Sequence, residues 1–310
     1  GSELYNMQVR YAPTRDEAIL VAMTNTGQIQ AQVWNGTSWG SATTLSTVGD
    51  TVNNPNAASL YRWFDIEYEQ TSGDAIVVVA DNSADPDYYV WNGTSWTGPT
   101  NIDIPTTGRP LQIEIASRPW SDELAFITLD TNADVYAMRW TWSAWNNMGV
   151  ATAWETTSLV NGNKKAIDVA FETTSGDIMF AWWFATVATA HFRYRAYAAS
   201  VLGAVTNITN ANQGWVANWL KLAPNPTAGS DQIMIGIQDA GADLNTFIWS
   251  GTAWSAVHTE HSAGMENAAV EMDFDITFET HSSNPNDAWL VWSNGTSVST
   301  KIWDGGTSAW

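Results

Sequence analysis

The sequence predicts an all-β fold, a six-bladed β-propeller with four-stranded antiparallel blades. Three observations predict it. An Asp that precedes an apolar run recurs at Asp16, Asp74, Asp122, Asp177, Asp231 and Asp287, at intervals of 58, 48, 55, 54 and 56 residues. Periods of that order mark repeat architectures. A Trp-flanked turn then follows each Asp except the fourth, with its first Trp 18, 17, 18, 18 and 16 residues on, at Trp34, Trp91, Trp140, Trp249 and Trp303; in the fourth copy the register falls on Arg195. Finally, the run after each Asp is apolar on both strand faces, as in Ala75-Ile76-Val77-Val78-Val79-Ala80 and Ile178-Met179-Phe180-Ala181-Trp182-Trp183. A strand of that kind needs cover on both sides. A radial array of small sheets supplies it, whereas a two-sheet sandwich would show cleaner alternation.

Each copy reads as four strands in order. The first alternates, as in Phe64-Asp65-Ile66-Glu67-Tyr68-Glu69, with one apolar face. Thr71-Ser72-Gly73-Asp74 is a turn in which Gly relieves the backbone and Asp bonds neighbouring amides. The second strand is the apolar run. The third ends at the first Trp of the hairpin and the fourth starts at the second Trp, as in Trp91-Asn92-Gly93-Thr94-Ser95-Trp96. Asn-Gly suits a tight hairpin because both residues tolerate positive φ, and the two Trp then oppose each other across the strands. Trp34, Trp39, Trp91, Trp96, Trp140, Trp145, Trp249, Trp254 and Trp303 occupy this repeat and Trp310 begins a tenth position, so half of the 20 Trp build blades.

A coarser period overlies this one. The second, fourth and sixth copies carry Asp and Glu four apart, Asp65 with Glu69, Asp168 with Glu172 and Asp275 with Glu279; the others have Ala12, Ala116 and Ala223 at the Glu position. Three two-blade units result, within one domain spanning 1-310, with blades near 1-50, 60-105, 108-150, 164-210, 215-260 and 268-310. The last blade runs out where its fourth strand should start, so the chain is expected to be a segment of a longer protein.

The charge narrows function. With 12 Lys plus Arg against 32 Asp plus Glu, the net charge is −20, which excludes a general nucleic-acid binder and disfavours anionic lipid. Zero Cys removes disulfides, thiolate metal sites and cysteine catalysis. Few charges among many Asn, Thr, Ser and aromatic residues point to a secreted or cell-surface protein.

The Trp residues outside the hairpin register, Trp63, Trp120, Trp154, Trp215 and Trp219, are the candidates for stacking on a sugar. The carboxylates Asp65, Glu69, Asp168, Glu172, Asp275 and Glu279, on strands expected to line a central channel, are candidates for a cation or polyhydroxyl site. Calcium is the cation such oxygen donors suit; no cofactor is otherwise expected. The loop Asp81 to Asp87 lacks the spacing of an EF-hand and reads as a connection. His258 and His261 lack the spacing of a helical zinc pair. Sequons stand at Asn35, Asn92, Asn207 and Asn294.

The hairpin Gly93 to Trp96, and Gly36 to Trp39, resembles the Asp-box turn of sialidase-type propellers, with Asn in place of the family Asp at a shifted position. That resemblance implies a folding element. The arginine triad of that family has no counterpart, because Arg10, Arg15, Arg62, Arg109, Arg118, Arg139, Arg193 and Arg195 share no repeated placement. The whole chain is similar in length, blade pattern and Trp-rich third strands to the six-bladed fucose-binding lectins, and loosely to tectonin-type propellers. This implies a binding role, but the repeated Arg and Glu of the lectin site are absent. The expected function is therefore a non-enzymatic extracellular module for a glycan or a surface protein. A subunit of a surface layer or filament, and a glycan-active hydrolase, are the alternatives.

Overall fold

The computed structural model describes residues 3–48, 62–156, 164–184, 190–209, 217–262, 265, 272–280 and 286–310. Every regular element among them is a strand. The chain separates into two compact units, Gly1–Asn163 and Lys164–Trp310.

The first unit holds three antiparallel four-stranded sheets, each in sequence order. They are β1 (Leu4–Tyr11), β2 (Ala18–Thr24), β3 (Gln28–Trp34) and β4 (Thr43–Thr47); β5 (Phe64–Tyr68), β6 (Ala75–Val79), β7 (Asp87–Trp91) and β8 (Trp96–Asn101); and β9 (Pro110–Ser117), β10 (Glu123–Asp130), β11 (Val135–Thr141) and β12 (Trp145–Asn146). The second unit holds three more. In β13 (Ile167–Phe171), β14 (Ile178–Trp182) and β15 (Ala190–Ala198), the outer position is divided between β16 (Val201–Leu202) and β17 (Thr206–Thr209), both paired with β15. Next come β18 (Ala217–Pro224), β19 (Ile233–Asp239), β20 (Leu244–Trp249) and β21 (His258–His261). The last sheet has three described strands, β22 (Phe274–Phe278), β23 (Ala288–Ser293) and β24 (Val298–Trp303), followed by an Asp304–Ala309 bridge.

The double-sided apolar runs are where the cores sit. Every residue of β6, β10, β14 and β19 is buried. In β23 the pattern reverts to alternation and Trp289 is exposed.

The hairpins close as their Trp spacing requires. Trp91 pairs with Trp96 and Trp140 with Trp145 in register, and Trp34–Trp39 and Trp249–Trp254 form bridges. The ring centroids lie 5.3–5.8 Å apart. Only the Gly of each Asn-Gly step takes positive φ, +89° at Gly36 and +88° at Gly93. Asn has a different task from the one its backbone tolerance implied. Asn92 Oδ1 accepts from Thr94 N–H at 3.0 Å, Thr94 Oγ1–H at 2.8 Å and Ser95 N–H at 2.9 Å, an Asx turn that ties off the loop.

Adjacent sheets inside each unit are joined at their first strands. Ile113 N–H donates to Arg62 O at 2.9 Å, and Leu220 N–H to Lys165 O at 3.0 Å. The two-blade period is thus a structural repeat, with corresponding bonds in both units.

One buried carboxylate carries an electrostatic cost. Asp239 Oδ1 accepts from Gly241 N–H at 2.8 Å and Asp243 N–H at 3.1 Å, but buried Oδ2 has no hydrogen-bond partner. Burial pushes this carboxyl up to about 6, and the Asp243 charge adds to the effect. A native carboxyl raised above its unfolded value binds protons more readily in the fold, so stability falls as pH rises from about 4 to 6 and stays lower above that. Asp239→Asn keeps the Oδ1 acceptor and removes the charge. It should raise stability at pH 8 by about 2 kcal/mol and leave stability at pH 4 unchanged, as thermal melts at the two pH values would show. Equal shifts at both pH values would overturn this account.

Candidate functional site

The sequence-predicted carboxylates turn out to be joints between blades. Asp65 Oδ1 accepts from Ile66 N–H at 2.8 Å and Oδ2 from Ile115 N–H, one sheet on, at 2.7 Å. Asp168 repeats this with Val169 N–H at 3.0 Å and Leu222 N–H at 2.7 Å. Burial pushes the Asp65 carboxyl up to about 6, against the pull of Arg10 and the two amides. Lys165 Nζ lies 2.8 Å from Asp168. Asp275, in the same register, is exposed, bonds Ile276 N–H at 2.8 Å and pairs with Lys221.

The Glu residues have a separate role. Trp140 Nε1–H donates to Glu69 Oε1 at 2.6 Å, and Ser72 Oγ–H to Oε2 at 2.5 Å. Trp249 and Ser175 do the same to Glu172 at 2.5 and 2.6 Å. In each case a hairpin Trp is latched to the preceding sheet. Burial pushes both carboxyls above the usual range, and the Ser and Trp donors pull them part of the way back. In the first sheet, which has Ala12 at the Glu position, Glu17 takes over, accepting from Trp91 Nε1–H at 2.9 Å and Tyr68 Oη–H at 3.0 Å. Glu279 is half-buried, and its N–H donates to Asp287 O at 2.7 Å. The reading of these carboxylates as a shared cation site is therefore corrected for Asp65, Glu69, Asp168 and Glu172, whose oxygens are engaged by amides, indoles and hydroxyls. Among the described residues no group of three or more His, Asp or Glu side chains converges as a metal would require.

The five candidate Trp divide by burial. Trp63, Trp154 and Trp219 are 0%, 8% and 4% exposed, so they have no face for a sugar. Trp63 is covered by the Arg109 guanidinium, 5.4 Å from its ring, and Trp154 packs edge-on to Tyr136 at 6.4 Å. The stacking expectation is corrected for these three, since a large aromatic beside a neighbouring sheet gains most from full burial. Trp215 lies outside the described residues. Trp120 is 65% exposed. The His pair is also accounted for by packing, His258 against Trp303 at 5.6 Å and His261 against Trp292 at 6.1 Å.

A different set of residues forms a concave site. Between the second and third sheets of the first unit lies a cleft of about 480 Å³, with Tyr88, Met138 and Trp145 in its wall and Asn101, Asp103, Asn146 and Asn147 among its polar lining. β12 is only two residues long here, and Glu155, further along the chain, bridges the start of β11 at Val135. Tyr88 meets Trp140 and Trp145 edge-on at 5.4 and 6.3 Å, and Phe126 backs Trp145 at 4.9 Å. The Trp145 indole N–H is buried without a hydrogen-bond partner. One wall thus offers aromatic faces, and the other offers amide and carboxylate groups.

The same aromatic arrangement recurs in the second unit. Tyr194 meets Trp249 and Trp254 at 5.8 and 6.0 Å, Phe247 stands where Met138 does, and the Trp254 N–H is again buried and unpartnered. Thr100-Asn101-Ile102 returns as Thr206-Asn207-Ile208. Asp87, paired with Asn101, is replaced by Arg193, whose Nε–H donates to Asn207 Oδ1 at 2.8 Å. The shared interval of 106 residues in Tyr88/Tyr194 and Asn101/Asn207 was the available signal for this site. It is fainter than the Trp repeat because it skips every other blade.

No family model matches this chain, and no curated protein matches it. Solved structures do match. The BP39L lectin from Burkholderia pseudomallei aligns with a TM-score of 0.63 and 10% identity, over 97% of this chain and 81% of that one. A fucose-specific lectin from Aleuria aurantia aligns with a TM-score of 0.52 and 11% identity over 100% of both chains. AofleA from Arthrobotrys oligospora gives 0.51 and 13%, over 97% and 84%. The four-stranded antiparallel sheets and these alignments agree, and the fold class of this chain is the six-bladed β-propeller.

Proposed function

We propose, from the six-bladed β-propeller fold and the cleft between its second and third sheets, that this protein is a non-enzymatic glycan-binding module, acting in a secreted or cell-surface setting. The observation that carries the proposal is the cleft at Tyr88 and Trp145. A pyranose offers C–H faces to aromatic rings and hydroxyls to polar groups. The Tyr88/Trp145 wall and the Asn101, Asp103, Asn146 and Asn147 groups supply both kinds of contact. The cleft volume of about 480 Å³ falls within the roughly 300–1,000 Å³ of small-ligand sites. The structural neighbours include lectins, one of them fucose-specific. Fucose itself is not carried over, since the repeated Arg of those lectins has no counterpart here.

The chemistry of the cleft favours binding over hydrolysis. Glycoside cleavage needs a pair of carboxyl groups about the scissile bond, and Asp103 is the one carboxylate among the ten lining residues. A labelled glycoside of any sugar that binds should remain intact on prolonged incubation.

A glycan array followed by calorimetry tests the proposal. Trp145→Phe keeps a ring against Phe126 and removes the N–H. Its smaller ring leaves less face for a pyranose to stack on, which should weaken the best array ligand by about threefold to tenfold. Asp103→Ala, at an exposed position, should weaken it comparably without a change in melting temperature. An array with no hits, or unchanged affinity in both variants, would overturn the proposal.

A further inference from the structure

Two Trp residues stand where the fold asks for Gly. In the β11–β12 hairpin, Trp142 occupies the place held by Gly36, Gly93 and Gly251 in the other six-residue Trp-flanked turns. Those glycines have φ of +89°, +88° and +93°, and Trp142 has +48°. In the β9–β10 turn, Ser121 N–H donates to Arg118 O at 3.3 Å; the corresponding β18–β19 turn closes Ser230 N–H on Thr227 O at 3.0 Å. Trp120 in the first turn, φ +58°, therefore matches Gly229 in the second, φ +92°. Left-handed backbone is costly for a bulky side chain and free for Gly.

Packing does not compensate for that strain. Trp120 and Trp142 are 65% and 63% exposed, and space is open around Gly229, where nothing lies within 4 Å of a built Cβ. Strained backbone retained without a packing gain points to a function at those positions.

Both turns lie at one end of the third sheet, because β9–β10 and β11–β12 are antiparallel pairs in which Leu124 faces Ser117 and Glu123 faces Thr141. The surface between them is firmly held. Buried Glu123 binds the Arg118 guanidinium at 2.5 Å and pairs with Arg139. Asp122 accepts from Thr71 N–H at 2.8 Å and Ser72 N–H at 2.9 Å, and Gln70 N–H donates to Ser121 O at 3.0 Å, tying the Trp120 turn to the second sheet. Trp142 immediately precedes Ser143, which lines the cleft.

We propose that Trp120 and Trp142 form a second, extended contact surface for a neutral polysaccharide chain, continuing outward from the cleft. Two indoles on one rigid sheet end provide stacking positions for two separate pyranose rings, which a polymer has and a monosaccharide lacks. The net charge of −20 repels anionic polymers and anionic lipid alike, and the exposed indole faces suit the C–H faces of a neutral sugar chain. The proposal shares with the cleft reading the carbohydrate nature of the ligand, and rests on different residues.

The test compares short and long ligands on the full chain. The probes are soluble mannan, xyloglucan and laminarin in affinity gel electrophoresis, with their di- and trisaccharides in calorimetry. Trp120→Gly/Trp142→Gly should melt at or above the wild-type temperature and lose at least tenfold in polymer affinity, while short-sugar affinity stays the same. Trp145→Phe should weaken both. Polymer affinity unchanged in the double Gly variant overturns the second surface and leaves the cleft reading standing. Polymer affinity lost in that variant, with Trp145→Phe and Asp103→Ala both silent, upholds the second surface and removes the cleft. Failure of the wild type to retain any of the polymers, or binding by the indoles to neutral lipid vesicles or to a protein instead, overturns the polysaccharide assignment.

Discussion

Asp168→Ala is expected to destabilise the protein by about 3–4 kcal/mol, the largest loss of any single carboxylate here. Asp168 is 7% exposed, and its two oxygens accept from amides on different sheets, Val169 on its own and Leu222 on the next. Removing it leaves the Leu222 N–H without that acceptor and takes the carboxylate from the Lys165 ammonium, 2.8 Å away and itself 8% exposed. Loss of one partner from a buried charge pair is far more damaging than its net contribution to the intact fold. In calorimetry the melting midpoint should fall by roughly 6–15 °C. Asp275→Ala is the internal control. It removes a carboxylate at the corresponding register, but from an exposed pair with Lys221, and should cost less than about 1 kcal/mol. If the two variants melt alike, the joint between sheets is not what makes Asp168 matter.

Glu69→Ala is expected to cost about 2–3 kcal/mol, because it strands the Trp140 N–H inside the protein. Trp140 is 5% exposed, and Glu69 is the carboxylate to which its indole donates, at 2.6 Å. Ser72 loses its acceptor in the same step. Glu69→Gln retains a side-chain carbonyl for Trp140 and removes a charge whose burial already raises the carboxyl above its usual range. That variant should lie within about 1 kcal/mol of wild type. Urea denaturation of the two variants separates the explanations. Equal losses would mean that the charge, not the acceptor, is what Trp140 requires. Glu172→Ala repeats the experiment on Trp249. The two sites share no partner and belong to different compact units, so the double variant should show additive losses.

These joints explain the odd and even blades. The Asp-Glu pairing was visible as text, at Asp65/Glu69 and Asp168/Glu172, but its meaning was not. Glu69 and Trp140 are 71 residues apart and Glu172 and Trp249 are 77 apart. Nothing local in either segment indicates that one accepts from the other. Carboxylates recurring on first strands therefore looked like donors to a shared cation, when they are acceptors spread along the seams between sheets. The indoles misled in a similar way. A place outside the hairpin register suggests availability, yet Trp63, Trp154 and Trp219 are covered by neighbouring side chains and Trp120 is not. The cleft was less legible still. Its polar lining comes from the end of β8 and the segment after it, and from β12 and the residues on either side of it.

The Gly positions supply a more general lesson. Four copies of the six-residue hairpin allow its third residue to be compared across the chain, and Trp142 at a Gly place is an anomaly readable from sequence alone. Its weight comes only with φ and exposure, since a Trp folded back into a core would carry no functional message.

By itself, the sequence determined the strand pattern, the cross-strand Trp pairs, the fold class and the two-blade period. Those follow from alternation, apolar runs and turn residues, which act over a few neighbouring positions. The tertiary structure decided which carboxylates are engaged, which indoles meet solvent, and where a ligand-sized cleft opens. Each of those depends on burial and on partners from the next sheet, tens of residues away in the chain, and so is set by packing between blades and not by the pattern within one.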